Sequence, residues 1–293
     1  RNSTMKILIV GAWHSDIHEQ AAFDAVSQLG HIPLCFAWNN YFKVSENALK
    51  ALSPFVRAQN KYLGGPIVSR LNRDLIKCAE KEQPEVVFIY RGSLILKKTL
   101  IELRRRLKGA VLVGYNNDDP FSPHYPFWKW RHFLKAIPEY DLVLAYRKHN
   151  ISEFYESGAK RVKLLRSWFI PEKNYPITLD EKEHERFGCD IVFVGHFEDD
   201  GRLEYLEEIV RRGWHLRIFG HGEQWNKHLK RSRILSEFAP VETVWGKDYN
   251  RALCGAKIAL CFFSRMNRDS YTRRCFEIPA CGTTLLSEFS SDM

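Results

Sequence analysis

Short apolar runs alternate with amphipathic segments along the first half of the chain. Six continuous runs are typical of strands buried on both faces of a parallel sheet: Lys6–Val10, Ile32–Ala37, Val86–Tyr90, Ala110–Tyr115, Leu142–Tyr146 and Val162–Leu165. Four segments between them repeat apolar residues at helical spacing: Glu19–Leu29, Val68–Lys81, Leu94–Leu107 and Ile151–Ser157. This alternation predicts a doubly wound α/β domain over residues 5–170.

A second alternation of the same kind follows a break in the pattern. The break, Pro171–Gly188, holds two prolines and a mixed charge run but no apolar run, so we predict an interdomain linker at 171–188. Beyond it lie five predicted strands: Asp190–Val194, Leu216–Phe219, Val241–Trp245, Lys257–Phe263 and Thr284–Ser287. Three predicted helices accompany them: Leu203–Arg212, Glu223–Glu237 and Tyr249–Cys254. The expectation is a second α/β domain over residues 189–293.

Composition narrows the class of protein. The 293 residues, 45% hydrophobic and 27% charged, suffice for two ordinary globular domains. No apolar run approaches the length of about 18 residues that suggests a membrane span, and no leader pattern precedes the first strand, so we expect a cytoplasmic protein. Seven cysteines without a Cys-x-x-Cys pair favour reduced packing thiols. The net charge of +9 is compatible with nucleic acid, an anionic membrane or a polyanionic substrate.

The most informative polar pattern follows the predicted strand Lys257–Phe263. Asp269 is followed eight positions later by Glu277, and Arg273 and Arg274 lie between them. A loop that leaves the carboxyl end of a parallel strand and opens a helix is a common binding place for phosphorylated ligands. Arginines in such a loop can hold a diphosphate, and carboxylates can hold sugar hydroxyls.

The segment 267–282 resembles the donor-site signature of the group-1 glycosyltransferases, in which two glutamates are separated by seven residues. Asp269 stands at the first of these positions and Glu277 at the second. The surrounding sequence is similar to the spore-coat (CgeB-type) glycosyltransferase-like family. The resemblance implies an α/β protein with the GT-B fold, in which two Rossmann-like, doubly wound parallel-sheet domains face a cleft. A full second domain of that fold carries further elements, so residues 189–293 are expected to form an incomplete one.

The resemblance also implies an activity. It predicts transfer of a sugar from a nucleoside-diphosphate sugar such as a UDP-sugar, with retention of anomeric configuration. The donor would bind mainly to the second domain and the acceptor mainly to the first. The acceptor itself stays open: a glycan, a lipid-linked molecule or a protein. No Asp-x-Asp motif stands in a convincing context, so we expect no metal and no cofactor besides the donor substrate.

Within the motif, the resemblance gives Glu277 the role of holding the ribose; a helix-terminal carboxylate that serves only the helix dipole is the alternative. Asp269 would reach donor-sugar hydroxyls and is a candidate catalytic residue, unless it caps the main chain. Arg273 and Arg274 point in different directions on a helix, so we expect one of them to face the ligand. The remaining donor-site candidates of this loop are Asn267, Ser270, Tyr271 and Thr272.

The loop after the predicted strand Asp190–Val194 supplies two more donor-site candidates. In the resembling enzymes this loop carries an arginine and a lysine that neutralise the diphosphate. His196 stands at the first of these positions, and Arg202 lies near the second. Arg202 suits a phosphate, whereas His196 is either a hydrogen-bond donor that is not reliably cationic at pH 7 or a loop residue without a role.

The first domain has its own polar residues at strand ends. Asp118 and Asp119 follow the predicted strand Ala110–Tyr115 and are candidate catalytic residues that orient the acceptor or stabilise positive charge on the sugar. An Asx-turn or a helix cap is the alternative for this pair. Gly11 and His14 follow the first strand and are acceptor-side candidates, although Gly11 also suits a simple turn.

The basic residues of the chain also bear on partners other than the donor. The stretch Phe127–Lys135 interleaves aromatic and basic residues, which suits peripheral contact with an anionic membrane or, alternatively, core aromatics with a solvated rim. A nucleotide-sugar epimerase of the same fold is the second enzyme hypothesis. A basic nucleic-acid-binding module is the third, but the bases are scattered and no familiar motif is present, so no nucleic acid is expected.

Overall fold

The computed structural model describes residues 3–43 and 53–293. The chain divides into two compact units, with the boundary between Arg166 and Ser167. The stretch 171–188, which the sequence predicted to be a linker, therefore belongs to the second unit. In the described ranges, no helix combines the length and the apolar character that crossing a bilayer requires.

The first unit is a parallel α/β sheet covered by helices. Its strands are β1 (Lys6–Gly11), β2 (Ile32–Ala37), β3 (Val86–Tyr90), β4 (Val111–Asn116), β5 (Leu142–Ala145) and β6 (Val162–Leu164). Its helices are α1 (Glu19–Gln28), α2 (Ser53–Tyr62), α3 (Pro66–Glu82), α4 (Lys97–Arg106), α5 (Arg131–Ala136) and α6 (Asn150–Glu156). The sheet order is β2-β1-β3-β4-β5-β6. Leu8, Val87 and Leu112 on neighbouring strands are fully buried, as in a sheet covered on both faces.

The strand order of the first unit reverses once. From β1 the chain moves outward to β2, and it then returns to β3 on the other side and continues to β6. Right-handed connections in opposite directions place the connecting helices on opposite faces of the sheet. The carboxyl ends of β1 and β3 therefore form the topological switch point, where open α/β sheets bind ligands.

The second unit repeats this architecture on a smaller scale. Its strands are β7 (Cys189–Val194), β8 (Leu216–Phe219), β9 (Ala256–Cys261) and β10 (Thr284–Ser287). Its helices are α7 (Glu181–Phe187), α8 (Arg202–Arg211), α9 (Gly222–Leu229), α10 (Lys247–Cys254) and α11 (Arg274–Ala280). All strand pairs are parallel, in the order β10-β9-β7-β8. The order reverses between β7 and β9, which makes their carboxyl ends the switch point of this unit.

The core of the second unit centres on an aromatic pair. The rings of Phe193 and Trp225, both fully buried, meet edge-on with centroids 5.5 Å apart. The indole Nε1 of Trp225 also donates a 2.9 Å hydrogen bond to the carbonyl of Gly195. Since a buried indole N–H needs a partner, this contact joins the core directly to the loop that follows β7.

Residues 241–245 do not form the predicted strand; Glu242 makes an isolated bridge with Phe219 and is not part of a strand. Val241 and Val244 are both buried, and their spacing of three does not match the two-residue period of a strand. The apolar character of this stretch reflects two separate anchor points, so the prediction was wrong.

The stretch predicted as a linker contains α7 because its charge run is one well-capped helix. The Asp180 carboxylate accepts the Glu183 backbone N–H at 2.8 Å, and the Glu183 carboxylate accepts the Asp180 N–H at 3.1 Å. Such a capping box satisfies two otherwise unpaired donors. Phe187 is the buried residue of the helix, and the charged residues form the solvated face.

Replacing the cap tests this assignment. Asp180→Ala is expected to cost α7 about 0.5–2 kcal/mol of local stability, which raises the hydrogen-exchange rate of the Glu183 amide by roughly 2- to 30-fold. Exchange followed by mass spectrometry or NMR measures this, with Thr178→Ala as a control outside the capping box. A wild-type stretch that already exchanges at unstructured rates would contradict the helix.

Candidate functional site

Two loops meet at the switch point of the second unit. The first follows β7 and contains Gly195 and His196; the second follows β9 and runs over residues 262–273. Ser264 connects them, because its hydroxyl donates to a Glu198 carboxylate oxygen at 3.1 Å. Most of the predicted donor-site residues lie in these two loops or in the first turn of α11.

Arg274 lies beside the first residue of the first loop. A Cβ added to Gly195 would lie 2.7 Å from its Nη1, and its guanidinium lies 5.8 Å from the ring centroid of Phe193. The Nε atom is buried and makes no hydrogen bond within the described residues. Because Gly195 has no side chain, the Arg274 guanidinium can lie against the carboxyl end of β7. Its Nε–H remains a hydrogen-bond donor that the described residues do not use.

Cys261 lies beside this guanidinium. Its Sγ is 3.8 Å from Cys275 Sγ and 3.2 Å from Thr272 Oγ1. The hydrogen bond from the Cys275 thiol lowers the pKa of Cys261, and the Arg274 charge acts in the same direction. The two thiols fix the first turn of α11 against the end of β9.

Arg273 and Arg274 face different ways, as the helical spacing predicted. Arg273 Nε donates to Glu277 Oε1 at 2.6 Å, and its guanidinium lies over the Trp168 ring at 5.7 Å. The other carboxylate oxygen of Glu277 accepts the Tyr249 hydroxyl at 2.8 Å. Glu277 is only 7% exposed, so these two partners compensate the cost of burying its charge.

Tyr249 was not predicted as a site residue. Burial raises the pKa of its hydroxyl well above the ordinary value, and the neighbouring Glu277 charge raises it further. The neutral phenol is therefore kept as a hydrogen-bond donor to the carboxylate across the physiological range. Its sequence signal was only that of a helical position in α10, which is why it was missed.

Asp269 closes its own loop. Its carboxylate accepts the Ser264 N–H at 3.4 Å, and its N–H donates to the Ser264 carbonyl at 2.9 Å. These contacts match the capping alternative; the sugar-hydroxyl role stays a prediction. Asn267 also bonds to Ser264, through its N–H and the hydroxyl oxygen at 3.4 Å. Arg268 between them adopts a left-handed conformation with φ of 46°.

The three residues that follow Asp269 make different contacts within the second unit. The Ser270 hydroxyl donates a hydrogen bond to the carboxylate of Asp292. Tyr271 is buried at 1% exposure, with its ring 5.8 Å from that of Phe276. Thr272 contacts Cys261. The predicted role of their backbone amides toward a diphosphate stays a prediction.

Arg202 is engaged with the protein. Its guanidinium forms a two-pronged pair with Asp200, at 2.8 Å from Nε to Oδ1 and 2.6 Å from Nη2 to Oδ2. Its Nη1 donates to the carbonyl of His196, and the residue is 3% exposed. Through these contacts Arg202 fixes the conformation of the loop that carries His196. The geometry does not support the predicted contact of Arg202 with a phosphate.

His196 lies in this loop with its ring stacked on His221, at a centroid distance of 5.2 Å and an interplanar angle of 11°. Burial lowers the pKa of His196, and the charge of Arg274 and the neighbouring His221 lower it further. The imidazole is therefore neutral at pH 7 and offers a hydrogen bond rather than a charge.

In the first unit, Asp118 and Asp119 occupy different environments. Asp118 is half-buried, with a carboxylate oxygen 3.5 Å from Arg91 Nε. Asp119 is fully buried, and its Oδ1 accepts the Phe121 N–H at 3.0 Å, an Asx-type turn. Asp118 is thus the acid of the pair that remains partly accessible.

Asp119 also belongs to the one group of described residues whose geometry could hold a metal ion. Its ligand atoms and those of His149 and Glu153 lie within 4.8 Å of one another. Asn150 Nδ2 donates to Asp119 at 2.9 Å and to Glu153 at 2.7 Å. The two carboxylates are therefore already bridged by an amide, which is a poor arrangement for a cation.

Gly11 ends β1 and His14 follows it, at the switch point of the first unit. A Cβ on Gly11 would lie 2.3 Å from Glu19 Oε1, and that oxygen accepts the Ala12 N–H at 2.8 Å. Gly11 therefore makes room for a buried carboxylate that closes the turn. His14 is exposed, with its ring 6.1 Å from that of His18. Their acceptor-side roles stay predictions.

One cavity of the second unit lies elsewhere. Its volume is about 640 Å³, and its lining includes Cys189 and Ala256, the first residues of β7 and β9. That is the amino-terminal edge of the sheet, opposite the two loops. The candidate site therefore rests on side-chain contacts and strand topology rather than on an enclosed volume.

Comparisons with known proteins match part of the second unit to a protein family and match the fold to solved structures. Residues 202–293 match a family model described as glycosyl transferase-like. A UDP-forming α,α-trehalose-phosphate synthase from Burkholderia vietnamiensis superposes with a TM-score of 0.65 at 12% identity, covering 98% of this chain and 85% of the other. The S. aureus MnaA–UDP structure gives a TM-score of 0.58 at 14% identity, covering 97% and 79%. No curated protein sequence matches the chain.

A protein from Listeria monocytogenes assigned as a UDP-N-acetylglucosamine 2-epimerase is also similar, with a TM-score of 0.62 at 12% identity over 97% of this chain and 79% of the other. These likenesses confirm the predicted GT-B fold, with its two parallel-sheet α/β units. Together, the family match and the fold support a glycosyltransferase. The finer resemblance to the spore-coat family stays a prediction.

The contact between Gly195 and Arg274 generates a stability test. Gly195→Ala is expected to lower the free energy of unfolding by about 1–3 kcal/mol, because the new methyl group would lie 2.7 Å from Arg274 Nη1 and 2.9 Å from Cζ of the buried Phe193 ring. In an Arg274→Ala background the same change should cost less, with a coupling of at least about 0.5 kcal/mol. Urea denaturation of the four proteins measures the cycle, and additive effects would show that the two residues do not meet.

Proposed function

We propose that this protein is a glycosyltransferase that uses a nucleoside-diphosphate sugar, with the donor held by the second unit at the carboxyl ends of β7 and β9. The observation that carries the proposal is the position of Arg274 against Gly195, with Glu277 one helical turn further on. The family match covers both charged residues.

The diphosphate would lie against Arg274. The buried Nε of this guanidinium has no hydrogen-bond partner among the described residues, and arginine forms strong charge-assisted hydrogen bonds with phosphate. A cation fixed there before the reaction would stabilise the charge that develops on the leaving diphosphate. The neutral imidazole of His196 would add a hydrogen bond on the same side.

The ribose would lie against Glu277. Positions three apart on a helix are neighbours at about 5–6 Å, which matches the adjacency of ribose and diphosphate in a nucleotide. Each carboxylate oxygen can accept two hydrogen bonds, and each uses one on Arg273 or Tyr249. One acceptor position per oxygen therefore remains for the two hydroxyls of a ribose.

Several finer features belong to the proposal. The UDP in the names of the similar structures makes a uridine nucleotide the first donor to test. Retention of configuration rests on the resemblance of residues 267–282 to the group-1 enzymes. Independence from metal rests on Arg274, which supplies a positive charge where other enzymes place a cation. On the first unit, the partly accessible Asp118 is a better acceptor-side candidate than the buried Asp119.

Two substitutions separate the two contacts. Arg274→Gln should weaken UDP binding by roughly 10- to 150-fold, the value of one hydrogen bond to a charged group, and should leave uridine binding unchanged. Glu277→Gln should weaken uridine and UDP alike, because it changes the ribose contact. Isothermal titration calorimetry measures both, with Arg212→Gln as the control, because Arg212 is an exposed residue directly after α8.

Equal losses for uridine and UDP in Arg274→Gln, or a wild-type protein that binds no nucleoside diphosphate, would contradict the proposed site. The reaction type needs its own assay, in which a labelled nucleotide sugar is incubated without acceptor. Release of an epimerised nucleotide sugar would favour the epimerase hypothesis over glycosyl transfer.

A further inference from the structure

We propose that the first unit docks on anionic phospholipid membranes through one aromatic–basic surface. This surface consists of Phe55, Tyr62, Phe127 and Trp128 with the basic residues of the two chain segments that carry them, 53–73 and 121–138. It is separate from the residues assigned to the donor.

Two distant segments bring the aromatic side chains together. The ring centroids of Tyr62 and Trp128 are 5.7 Å apart, and those of Phe127 and Trp128 are 5.3 Å apart. Arg131 holds the segments together, because its guanidinium donates to the carbonyls of Tyr62 and Leu63. Phe55 lies seven positions before Tyr62 on α2, which places both on the same face of the helix.

These rings are exposed. Phe127 is 86% exposed, Phe55 74% and Tyr62 50%. The helix α5 begins only at Arg131, so Phe127 does not pack inward on a helical face with Trp130, which is buried. A cluster of exposed aromatic side chains on a globular protein marks an interaction site, and the alternative in which Phe127 is a core residue is thereby excluded.

The charge of the two segments is one-sided. Segments 53–73 and 121–138 contain no Asp or Glu, and their basic residues are Arg57, Lys61, Arg70, Arg73, Lys129, Arg131 and Lys135. Of these, Arg70 lies 3.7 Å from a carboxylate oxygen of Asp74, the residue that follows the first segment. The Lys61 ammonium lies 5.3 Å from the Tyr62 ring centroid, and the Lys129 ammonium lies 5.4 Å from the Trp130 ring centroid.

This combination suits a bilayer surface. Phenylalanine inserts at the boundary between headgroups and acyl chains, tyrosine and tryptophan prefer the same interface, and basic residues meet anionic headgroups. Long basic side chains can keep their charge at the headgroups while their stems lie beside apolar rings. A single strand of nucleic acid is a weaker match, because Tyr62 and Trp128 already contact each other instead of presenting free stacking faces.

Vesicle co-sedimentation tests the proposal. The wild-type protein should pellet with vesicles of phosphatidylcholine mixed with phosphatidylglycerol, should do so less as salt is raised, and should stay in solution with phosphatidylcholine alone. The double change Phe55→Ser with Phe127→Ser should weaken vesicle binding by about tenfold or more. Phe289→Ser is the matched control, since Phe289 is 98% exposed but lies in the second unit.

A charge pair separates this surface from general basicity. Lys61→Glu with Lys135→Glu should abolish binding, whereas Lys227→Glu with Lys230→Glu, the same change of net charge on the second unit, should not. Circular dichroism and thermal unfolding at wild-type values show that a variant is folded, and unchanged UDP affinity shows that the donor site of the second unit is unaffected. Equal losses of vesicle binding in both charge-pair variants, or no binding of the wild-type protein to anionic vesicles, would overturn the proposal.

The nucleic-acid alternative has its own outcome. Binding of single-stranded RNA in place of vesicles, lost in the Phe55→Ser and Phe127→Ser double variant, would assign the surface to nucleic acid.

Discussion

The reversal of strand order between β7 and β9 is the constraint on which the site in the second unit depends. Two parallel strands whose right-handed connections run in opposite directions leave an opening at their carboxyl ends. The loops after β7 and β9 border this opening, and the contact of Ser264 with Glu198 ties them together. The hydrogen bond from Trp225 to Gly195 anchors the first loop in the core.

Within that opening, two neighbouring arginines have different roles because successive helical positions point about 100° apart. Arg274 lies against Gly195, where only a residue without a side chain leaves room for it. Arg273 turns toward Glu277, which Tyr249 also contacts. Removing Glu277 outright would take a carboxylate partner from the largely buried Arg273 and the acceptor from the Tyr249 hydroxyl, so ligand contact and stability are coupled at this residue. Conservative changes are therefore the informative ones.

Much of the fold could be predicted because parallel strands buried on both faces appear as continuous apolar runs. Helix α7 could not be recognised by apolar periodicity, since its stability comes from the capping box of Asp180 and Glu183. For the site, the spacing of Asp269 and Glu277 points to the loop after β9, and its role in binding a donor stays a prediction. The contact of Gly195 with Arg274 depends on which loops meet in space, and one sequence does not show that. The pairing of Arg202 with Asp200, two positions earlier in the same loop, is local, but the sequence does not show whether this guanidinium turns toward the carboxylate or toward a ligand.

The most direct test of the central claim is a crystal structure of the protein with bound UDP. The account predicts a diphosphate oxygen about 3 Å from the Arg274 guanidinium and the ribose hydroxyls at hydrogen-bond distance from Glu277. UDP bound away from both residues, for example in the cavity at the amino-terminal ends of β7 and β9, would contradict it.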